Sequence, residues 1–285
     1  ANAVGNTSGL IAGNRNATLT VGAGGVTNTS GTIQAANDLT VTSAGDVANT
    51  SGQLLAGHQL TLSGAALTNS QGQIGAQTGS ATLAVTSYIN IGGSVVAGGA
   101  LTLDTQGGAL TANGSTLASG ADMTLRAGAA QLSDAAITAG GSINAQVTSL
   151  EATRANVQAA GNLSATAGAG AFNAANSTWQ AGQAVALTGG VTGASVDATR
   201  ASITSPGDVS VVATHGALDI THASLLAGRD LTATGTGAGT TTGAQALAGR
   251  DLTLGNGTAF DFAAANLQYQ FGRDLTVRAQ GISTA

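Results

Sequence analysis

A repeat of about 21 residues runs through the 285-residue chain and limits its fold more than any other feature. Each unit contains a short segment in which two apolar residues flank a polar residue that is mostly Thr. This alternation is the pattern of a β-strand. The apolar residues that open these segments serve as phase markers and are Leu19, Leu39, Leu60, Leu83, Leu101, Met123, Ile143, Leu163, Val185, Val209, Leu231, Leu252 and Leu275.

The pattern within each unit predicts two further strands. One precedes the marker and ends in a small residue and Gly, as in Leu55-Ala56-Gly57, and the other follows it, around Val26 and Val47. A helix of about ten residues would fill half a unit, so no unit has room for one. Three short strands cannot bury their apolar side alone, so the units must stack. We therefore expect an all-β fold, a parallel β-helix of about 13 coils spaced about 4.8 Å apart.

This β-helix is expected to form a single domain over residues 1–285, with a Gly/Thr-rich excursion at 234–243. The composition agrees with it, because Gly accounts for 44 residues, aromatic residues for 2% and charged residues for 7%. Small aliphatic side chains suit a narrow stacked interior, whereas a conventional enzyme core carries more large side chains and charge. The hydrophobic fraction of 42% argues against disorder, and the single Pro argues against collagen.

Charge and cysteine content exclude several function classes. The net charge is −5, and the basic residues are scattered, so nucleic acid is not expected as a partner. The absence of Cys rules out disulfides and thiolate metal sites. No apolar run is long enough for a membrane span, so membrane insertion is not expected either. The chain starts at Ala1 without a Met or a leader pattern, and we expect it to be a piece of a longer protein.

The first four units carry a sharper element, Asn-x-x-Gly. Its copies are Asn6-Thr7-Ser8-Gly9, Asn28-Thr29-Ser30-Gly31, Asn49-Thr50-Ser51-Gly52 and Asn69-Ser70-Gln71-Gly72. Together with the Ala-Gly corner and the strand that follow it, as in Asn49 to Leu62, this element resembles the haemagglutinin repeats of two-partner-secretion exoproteins. Those are the filamentous haemagglutinins and contact-dependent growth-inhibition proteins of Gram-negative bacteria. The resemblance is best over residues 1–76, and 77–285 look like degenerate coils.

The resemblance implies a right-handed β-helix that an outer-membrane transporter exports and that is displayed at the cell surface. Such shafts serve as adhesins or carry a C-terminal toxin. The chain lacks the Asn-Pro-Asn motifs of the family's transport domain and the Val-Glu-Asn-Asn boundary before the toxin, so it resembles an interior shaft segment. We therefore expect a secreted, monomeric, non-catalytic structural or adhesive shaft without cofactor or metal. Its partner would be a receptor or glycan on a host or bacterial surface.

Six of the 13 acidic residues stand directly before a marker. They are Asp38, Asp122, Asp208, Asp230, Asp251 and Asp274. A position filled throughout a repeat favours a structural role, and Asp in a corner accepts hydrogen bonds from nearby backbone N–H groups. The last three corners read Gly-Arg-Asp, which predicts an Arg ladder of Arg229, Arg250 and Arg273 beside an Asp ladder. The functional alternative is an anion or sulfated-glycan site on these arginines.

A polysaccharide-processing β-helix enzyme is the second hypothesis. It requires two or three convergent carboxylates off the repeat phase, and the candidates are Asp104, Asp134, Asp197 and Asp219. A third hypothesis is a glycan-binding module without turnover.

The histidines and aromatic residues carry weaker signals. His58 occupies a corner, and His215 and His222 are expected in solvent because an extended segment of seven residues holds them apart. Phe172 and Trp179 are expected to fill a bulge or to cap a loop. Four aromatic residues cluster near the C-terminus, and we favour a buried role for them over an exposed platform for sugars or a partner. They are Phe260, Phe262, Tyr269 and Phe271.

Overall fold

The computed structural model describes residues 1–190, 195–255, 261–263, 268–279 and 281–283. Every regular element in these ranges is a β-strand, and the described strands pair in parallel throughout each unit given below. The chain forms two compact units, 1–141 and 142–285, and each is a β-solenoid with turns about 21 residues apart. The prediction of an all-β parallel β-helix is confirmed.

Each turn of unit 1 contributes strands to three sides. Side 1 consists of Leu10–Gly13, Thr32–Ala35, Gln53–Ala56, Gln73–Ala76, Ser94–Ala97, Thr116–Ser119 and Ala136–Ala139. Side 2 consists of Ala17–Val21, Leu39–Ser43, Leu101–Asp104 and the first halves of Leu60–Thr68, Ala81–Ile89 and Met123–Gln131. Side 3 consists of Ala3–Gly5, Gly25–Thr27, Val47–Ala48, Leu110–Thr111 and the second halves of the same three long strands.

Unit 2 repeats the three sides. Side 1 consists of Asn156–Ala159, Thr178–Ala181, Ser202–Ser205, Ser224–Ala227, Gln245–Ala248 and Gln268–Gln270. Side 2 consists of the first half of Ile143–Glu151, Leu163–Ala167, Val185–Gly189, Val209–Ala213, Leu231–Gly235, Leu252–Leu254 and Leu275–Val277. Side 3 consists of the second half of Ile143–Glu151, Phe172–Asn173, Val196–Asp197 and Leu218–Asp219. Asp261–Ala263 and Gly281–Ser283 pair with each other.

The strand register shows that two of the residues chosen as phase markers do not open their strands. Leu39 pairs with Ala17, and Leu60 pairs with Ala81, so these alanines open their strands. Leu19 and Leu83, which we expected in that place, take the second inward position instead. The error arose because only large aliphatic residues were used as markers, whereas an alanine also fills an inward position of this narrow interior. Ala81 is fully buried there.

Inward-facing aliphatic side chains stack on like residues in neighbouring turns and form the core of each unit. Ile33, Leu54, Ile74 and Val95 follow one another on side 1 of unit 1, and all four are fully buried. Stacking of this kind removes apolar surface from water in every turn, at roughly 25 cal/mol per Å².

Two local expectations for unit 2 are wrong. Phe172 and Trp179 lie on regular strands with their rings in the core, 5.9 Å between centroids, and they neither fill a bulge nor cap a loop. The segment 234–243 makes no excursion, because Thr240 bridges Asp219 of the preceding turn and Thr241 is buried. Gly and Thr substitute there for the usual strand residues without leaving the stack.

The corner from side 3 to side 1 has a left-handed backbone residue in most described turns. Ser8, Ser30, Ser51 and Gln71 have φ between 52° and 54°, and Gly92 and Gly114 take the same conformation at the next two turns. Asp134 continues the series in unit 1, and Arg154, Asn176, Arg200 and His222 form it in unit 2. Non-glycine residues rarely adopt this conformation. The turns impose it because N–H groups of successive corners bond to carbonyls of the next turn, as Ser51 does to Ser70.

Candidate functional site

The Asn-x-x-Gly elements form a buried ladder of side-chain amides, which the sequence did not reveal. Asn6, Asn28, Asn49, Asn69 and Asn90 stack at the corner from side 3 to side 1, and the last four are fully buried. The Nδ2 of each asparagine donates to the Oδ1 of the next, at 2.6–2.9 Å. Nδ2 of Asn49 also donates to the carbonyls of Gly52 and Gln73. The ladder therefore supplies partners for amide groups that would be costly to bury alone.

The structure explains why Gly stands three residues after each asparagine. A Cβ atom added at Gly9, Gly31, Gly52, Gly72 or Gly93 would lie no more than 2.7 Å from the Oδ1 of the asparagine in its own turn. The asparagine Oδ1 thus occupies part of the space that a side chain would need, and from Gly31 onward the main-chain carbonyl oxygen of the asparagine one turn earlier lies closer still. In the next turn Ala112 and Ser115 replace the Asn and Gly, so the two positions change together.

The ladder ends at Asn90. Its Nδ2 is buried and has no hydrogen-bond partner among the described residues. Ile89 pairs with Thr111, so Ala112 takes the position after Asn90 in the stack, and its methyl group offers no acceptor. An unpaired buried donor of this kind costs about 1–3 kcal/mol.

Extending the ladder should stabilise the protein. We expect the double variant Ala112→Asn/Ser115→Gly to be more stable than Ser115→Gly by about 1 kcal/mol, because the new Oδ1 accepts from Asn90 Nδ2. Ala112→Asn alone should be destabilising, since Ser115 keeps a Cβ in the space that the amide oxygen needs. Chemical denaturation of the wild type, the two single variants and the double variant gives four unfolding free energies, from which the coupling between positions 112 and 115 follows. Additive effects would contradict the packing rule.

The Gly-Arg-Asp corners of unit 2 form staggered ion pairs. The Nε of each arginine donates to a carboxylate in the preceding turn, Arg229 to Asp208 at 3.1 Å and Arg273 to Asp251 at 2.8 Å. Arg250 bonds to Asp230 in the same way, at 2.7 Å. A second bond from Nη2 makes all three pairs bidentate. The three arginines, for which an anion site was the alternative interpretation, therefore have carboxylates as partners already, and each carboxylate offsets the field of its arginine.

Asp208 and Asp230 also accept hydrogen bonds from the backbone, as the sequence predicted for corner aspartates, but the N–H group belongs to the next turn. Oδ1 of Asp230 accepts from the N–H of Asp251, at 3.3 Å. Asp38 in unit 1 accepts from Gln59 in the same way, and its Oδ1 also pairs with Nδ1 of His58, at 3.0 Å. Each carboxylate thus ties two turns together.

The hydrogen bond from Arg250 lowers the pKa of Asp230 to about 2. The unfolded chain binds this proton near pH 4, so the ionised carboxylate stabilises the folded state above that pH and the effect is lost as the pH falls towards 2. We expect Asp230→Asn to lower the melting temperature at pH 7, with the difference from the wild type shrinking towards pH 2 and in 1 M salt.

Melting curves of the two chains between pH 7 and pH 2 test this. Asp274→Asn is the matched control, because the Asp274 side chain is 73% exposed and forms only a longer pair with Arg273 among the described residues, at 3.4 Å. A difference between wild type and Asp230→Asn that stays constant down to pH 2 would contradict the ion-pair explanation.

Two of the four candidate catalytic acids come together. Asp197 and Asp219 lie in register on adjacent side 3 strands of unit 2, with Asn173 and then Glu151 before them in the same row. Asp104 and Asp134 belong to unit 1 and lie in different corners. We call Glu151, Asn173, Asp197 and Asp219 the acidic row.

The two aspartates of the acidic row accept hydrogen bonds from backbone N–H groups of the corners that follow their strands. Oδ1 of Asp197 accepts from the N–H of Thr199 at 2.9 Å, and Oδ1 of Asp219 accepts from the N–H of Thr221 at 2.8 Å. Oδ1 of Asp219 also accepts from the Thr240 hydroxyl. Burial opposes the ionisation of Asp219, but the hydrogen bonds from Thr221, Thr240 and Thr199 outweigh it and hold its pKa below the usual value. A general acid needs the opposite shift.

The histidine and aromatic candidates lie apart from these features. His215 and His222 are exposed, and the described residues contain no group of three His, Cys, Asp or Glu side chains suited to a metal ion. Tyr269 and Phe271 are 45% and 37% exposed, so the expectation of a buried role is wrong for this pair. Tyr269 pairs with Ala246 on one side and belongs to the last side 1 strand that the structure describes. Phe260 and the side chain of Phe262 lie outside the described residues.

Side 1 of unit 1 carries a groove of about 780 Å³ that the sequence analysis missed. Leu55, Gly75 and Val96 form its floor in three successive turns, and Gln34, Gln73 and Gln77 are among its other lining residues. The available signal was the appearance of aliphatic residues at an outward position of the repeat.

The fold and these sites define a β-solenoid stabilised by an asparagine ladder and by ion pairs between turns. Comparison with protein-family models, curated proteins and solved structures found no match. None of the described residues belongs to a helix long and apolar enough to cross a membrane.

Proposed function

We propose that this chain is a structural segment of an extracellular β-helical shaft from a Gram-negative two-partner-secretion exoprotein. The Asn-x-x-Gly element carries the proposal, because it is the motif that resembles haemagglutinin repeats and because its asparagines form a continuous buried ladder. In this role the chain is a non-catalytic spacer that an outer-membrane transporter exports. It supports attachment or carries a toxin domain at the cell surface.

The use of charged groups supports a structural role. The ion pairs join neighbouring turns, as between Arg250 and Asp230. In the acidic row, Asn173 donates to Glu151 of the preceding turn, while Asp219 accepts from Thr240 of the next. Side chains that are used to hold one turn to the next are poorly placed for chemistry on a substrate. Their arrangement fits a stack that must keep its register outside the cell.

Surface labelling of the organism that makes the protein tests the proposal. Antibodies against this chain should label intact cells, and protease added outside the cells should remove the label. Deletion of the cognate outer-membrane transporter should abolish surface labelling while the protein remains inside the cell. Labelling that requires permeabilisation in the wild type would contradict the proposal.

A polysaccharide-processing enzyme is the second candidate, since Asp197 and Asp219 lie on adjacent turns. The lowered pKa of Asp219 and its hydrogen bonds from Thr221 and Thr240 weigh against a proton-transfer role. Incubation with acidic and neutral glycans separates the two functions. Product release that is abolished by Asp197→Asn and retained in Asp104→Asn would support the enzyme, and no release from any glycan supports the shaft.

A further inference from the structure

The groove on side 1 of unit 1 departs from the repeat around it. Its floor lies in the outward row of side 1, where the other turns of unit 1 have alanine or polar residues, namely Ala12, Gln34, Ala118 and Thr138. Here the row has Leu55 and Val96, and Val96 is 41% exposed. A periodic fold gains no stability from an aliphatic side chain in water, so the local change points to a surface that contacts something else.

Gly75 gives the floor its depth. Its position lies between Leu55 and Val96 in the register of side 1, and a Cβ atom added there would lie 3.2 Å from Cδ2 of Leu55. The glycine therefore leaves open the space between two aliphatic side chains. The resulting concave surface, about 780 Å³, lies within the range of known ligand sites.

The polar groups of the groove are all uncharged. No lining residue is Asp, Glu, Lys, Arg or His. The amides of Gln34 and Gln77 are exposed and make no hydrogen bond within the described structure, whereas Gln73 accepts one from Gln53 at 3.4 Å. A side-chain amide both donates and accepts, so these groups match a ligand with hydroxyl groups. A charged ligand would lose hydration here without gaining a counter-charge.

We propose that this groove binds an uncharged polysaccharide, with the C–H faces of the sugars on Leu55 and Val96 and their hydroxyls bonded to the glutamine amides. The groove extends from Ala12 to Val96, across five turns, which suits a linear chain of several sugars. This binding adds attachment to the structural role proposed above. Its failure would leave that role intact, because the shaft does not depend on any ligand.

An extended peptide fits the groove less well. Peptides that bind to sheets usually add a strand to a free edge, through backbone hydrogen bonds. Gln73–Ala76 already pairs with Gln53–Ala56 on one side and with Ser94–Ala97 on the other. The floor therefore offers a peptide side-chain contacts alone, whereas sugars need no backbone partner.

Affinity electrophoresis and calorimetry on the purified chain test the proposal. The probes are soluble neutral polymers of glucose, galactose, mannose and N-acetylglucosamine, with heparin and polygalacturonate as charged counterparts. A smaller groove of about 530 Å³ on side 1 of unit 2 contains the exposed Leu226. The substitution Leu226→Thr removes this leucine, and it is present in every protein compared, including the parent, so that binding reports on the groove of unit 1. We expect the parent to bind at least one neutral polymer and neither charged one.

The variant Leu55→Thr/Val96→Thr should weaken that binding about tenfold, because it removes aliphatic surface from the floor. Both side chains point outward, and Thr138 occupies the same row, so the fold should be retained. Ile89→Thr is the matched control. It removes an aliphatic side chain that is 42% exposed on side 3 and pairs in register with Thr68 and Thr111. The control should bind as the parent does.

Three outcomes would overturn the proposal. The first is that no neutral polymer binds the parent, and the second is that the control loses as much affinity as the double variant. The third is concentration-dependent self-association of the parent, measured by analytical ultracentrifugation, that Leu55→Thr/Val96→Thr abolishes. That result would assign the groove to a second copy of the chain.

Discussion

Replacing Leu163 with aspartate should open or unfold unit 2, with a loss of more than about 4 kcal/mol in the free energy of unfolding. Leu163 is 1% exposed and stacks between Ile143 and Val185 on side 2. A carboxylate there would have aliphatic neighbours in both adjacent turns and no cation to pair with. Circular dichroism during chemical denaturation measures the stability, and hydrogen exchange shows whether the opening is local.

Ser164→Asp is the matched control for this prediction. Ser164 is the next residue of the same strand, is only partly buried and lies between Asn144 and Ala186. An outward carboxylate keeps its hydration, so we expect a change within about 0.5 kcal/mol. Equal effects of the two substitutions would mean that the inward and outward faces of side 2 are assigned wrongly.

Gly52→Ala should cost about 3 kcal/mol or more, although it adds a single methyl group. The new Cβ would lie 2.6 Å from Oδ1 of Asn49 and closer still to the carbonyl oxygen of Asn28. The backbone of one turn and the amide ladder would both have to move. Chemical denaturation of the purified variant gives the change in unfolding free energy.

Gly75→Ala is the control for the glycine substitution. Its Cβ would lie 3.2 Å from the end of the Leu55 side chain, which can rotate away, and at an ordinary contact distance of 3.9 Å from the carbonyl oxygen of Val96. We expect a change below about 1 kcal/mol, because neither glycine needs a positive φ. If both variants are equally unstable, the loss comes from glycine itself and the amide ladder is not its cause.

Much of the fold could be predicted from local alternation. Three residues that are apolar, polar and apolar in turn indicate a strand with two side chains inside and one outside. A 21-residue unit with Gly corners has room for short strands but not for a helix. The phase was missed at Ala17 and Ala81 because a small residue is ambiguous between inside and outside. Only hydrogen bonds to the neighbouring turn settle that choice.

The candidate sites were less predictable because they depend on pairs of residues far apart in sequence. The Gly-Arg-Asp pattern predicted adjacent charge ladders, but the register decides that Arg250 bonds to Asp230 of the preceding turn, 20 residues away. The same register places Asp197 next to Asp219. The side 1 groove requires knowing that Leu55, Gly75 and Val96 are neighbours, although about 20 residues separate each from the next.

The sequence by itself determined that this chain forms stacked turns of short strands, because the repeat and its alternation leave no other way to bury the aliphatic residues. Only the tertiary structure decided what the Asn-x-x-Gly element does. Asn49 is polar, and nothing in its own turn indicates that it points inward. Its partners are Asn28 and Asn69 in the adjacent turns, 21 and 20 residues away, and a buried amide is stable only when such partners are in place.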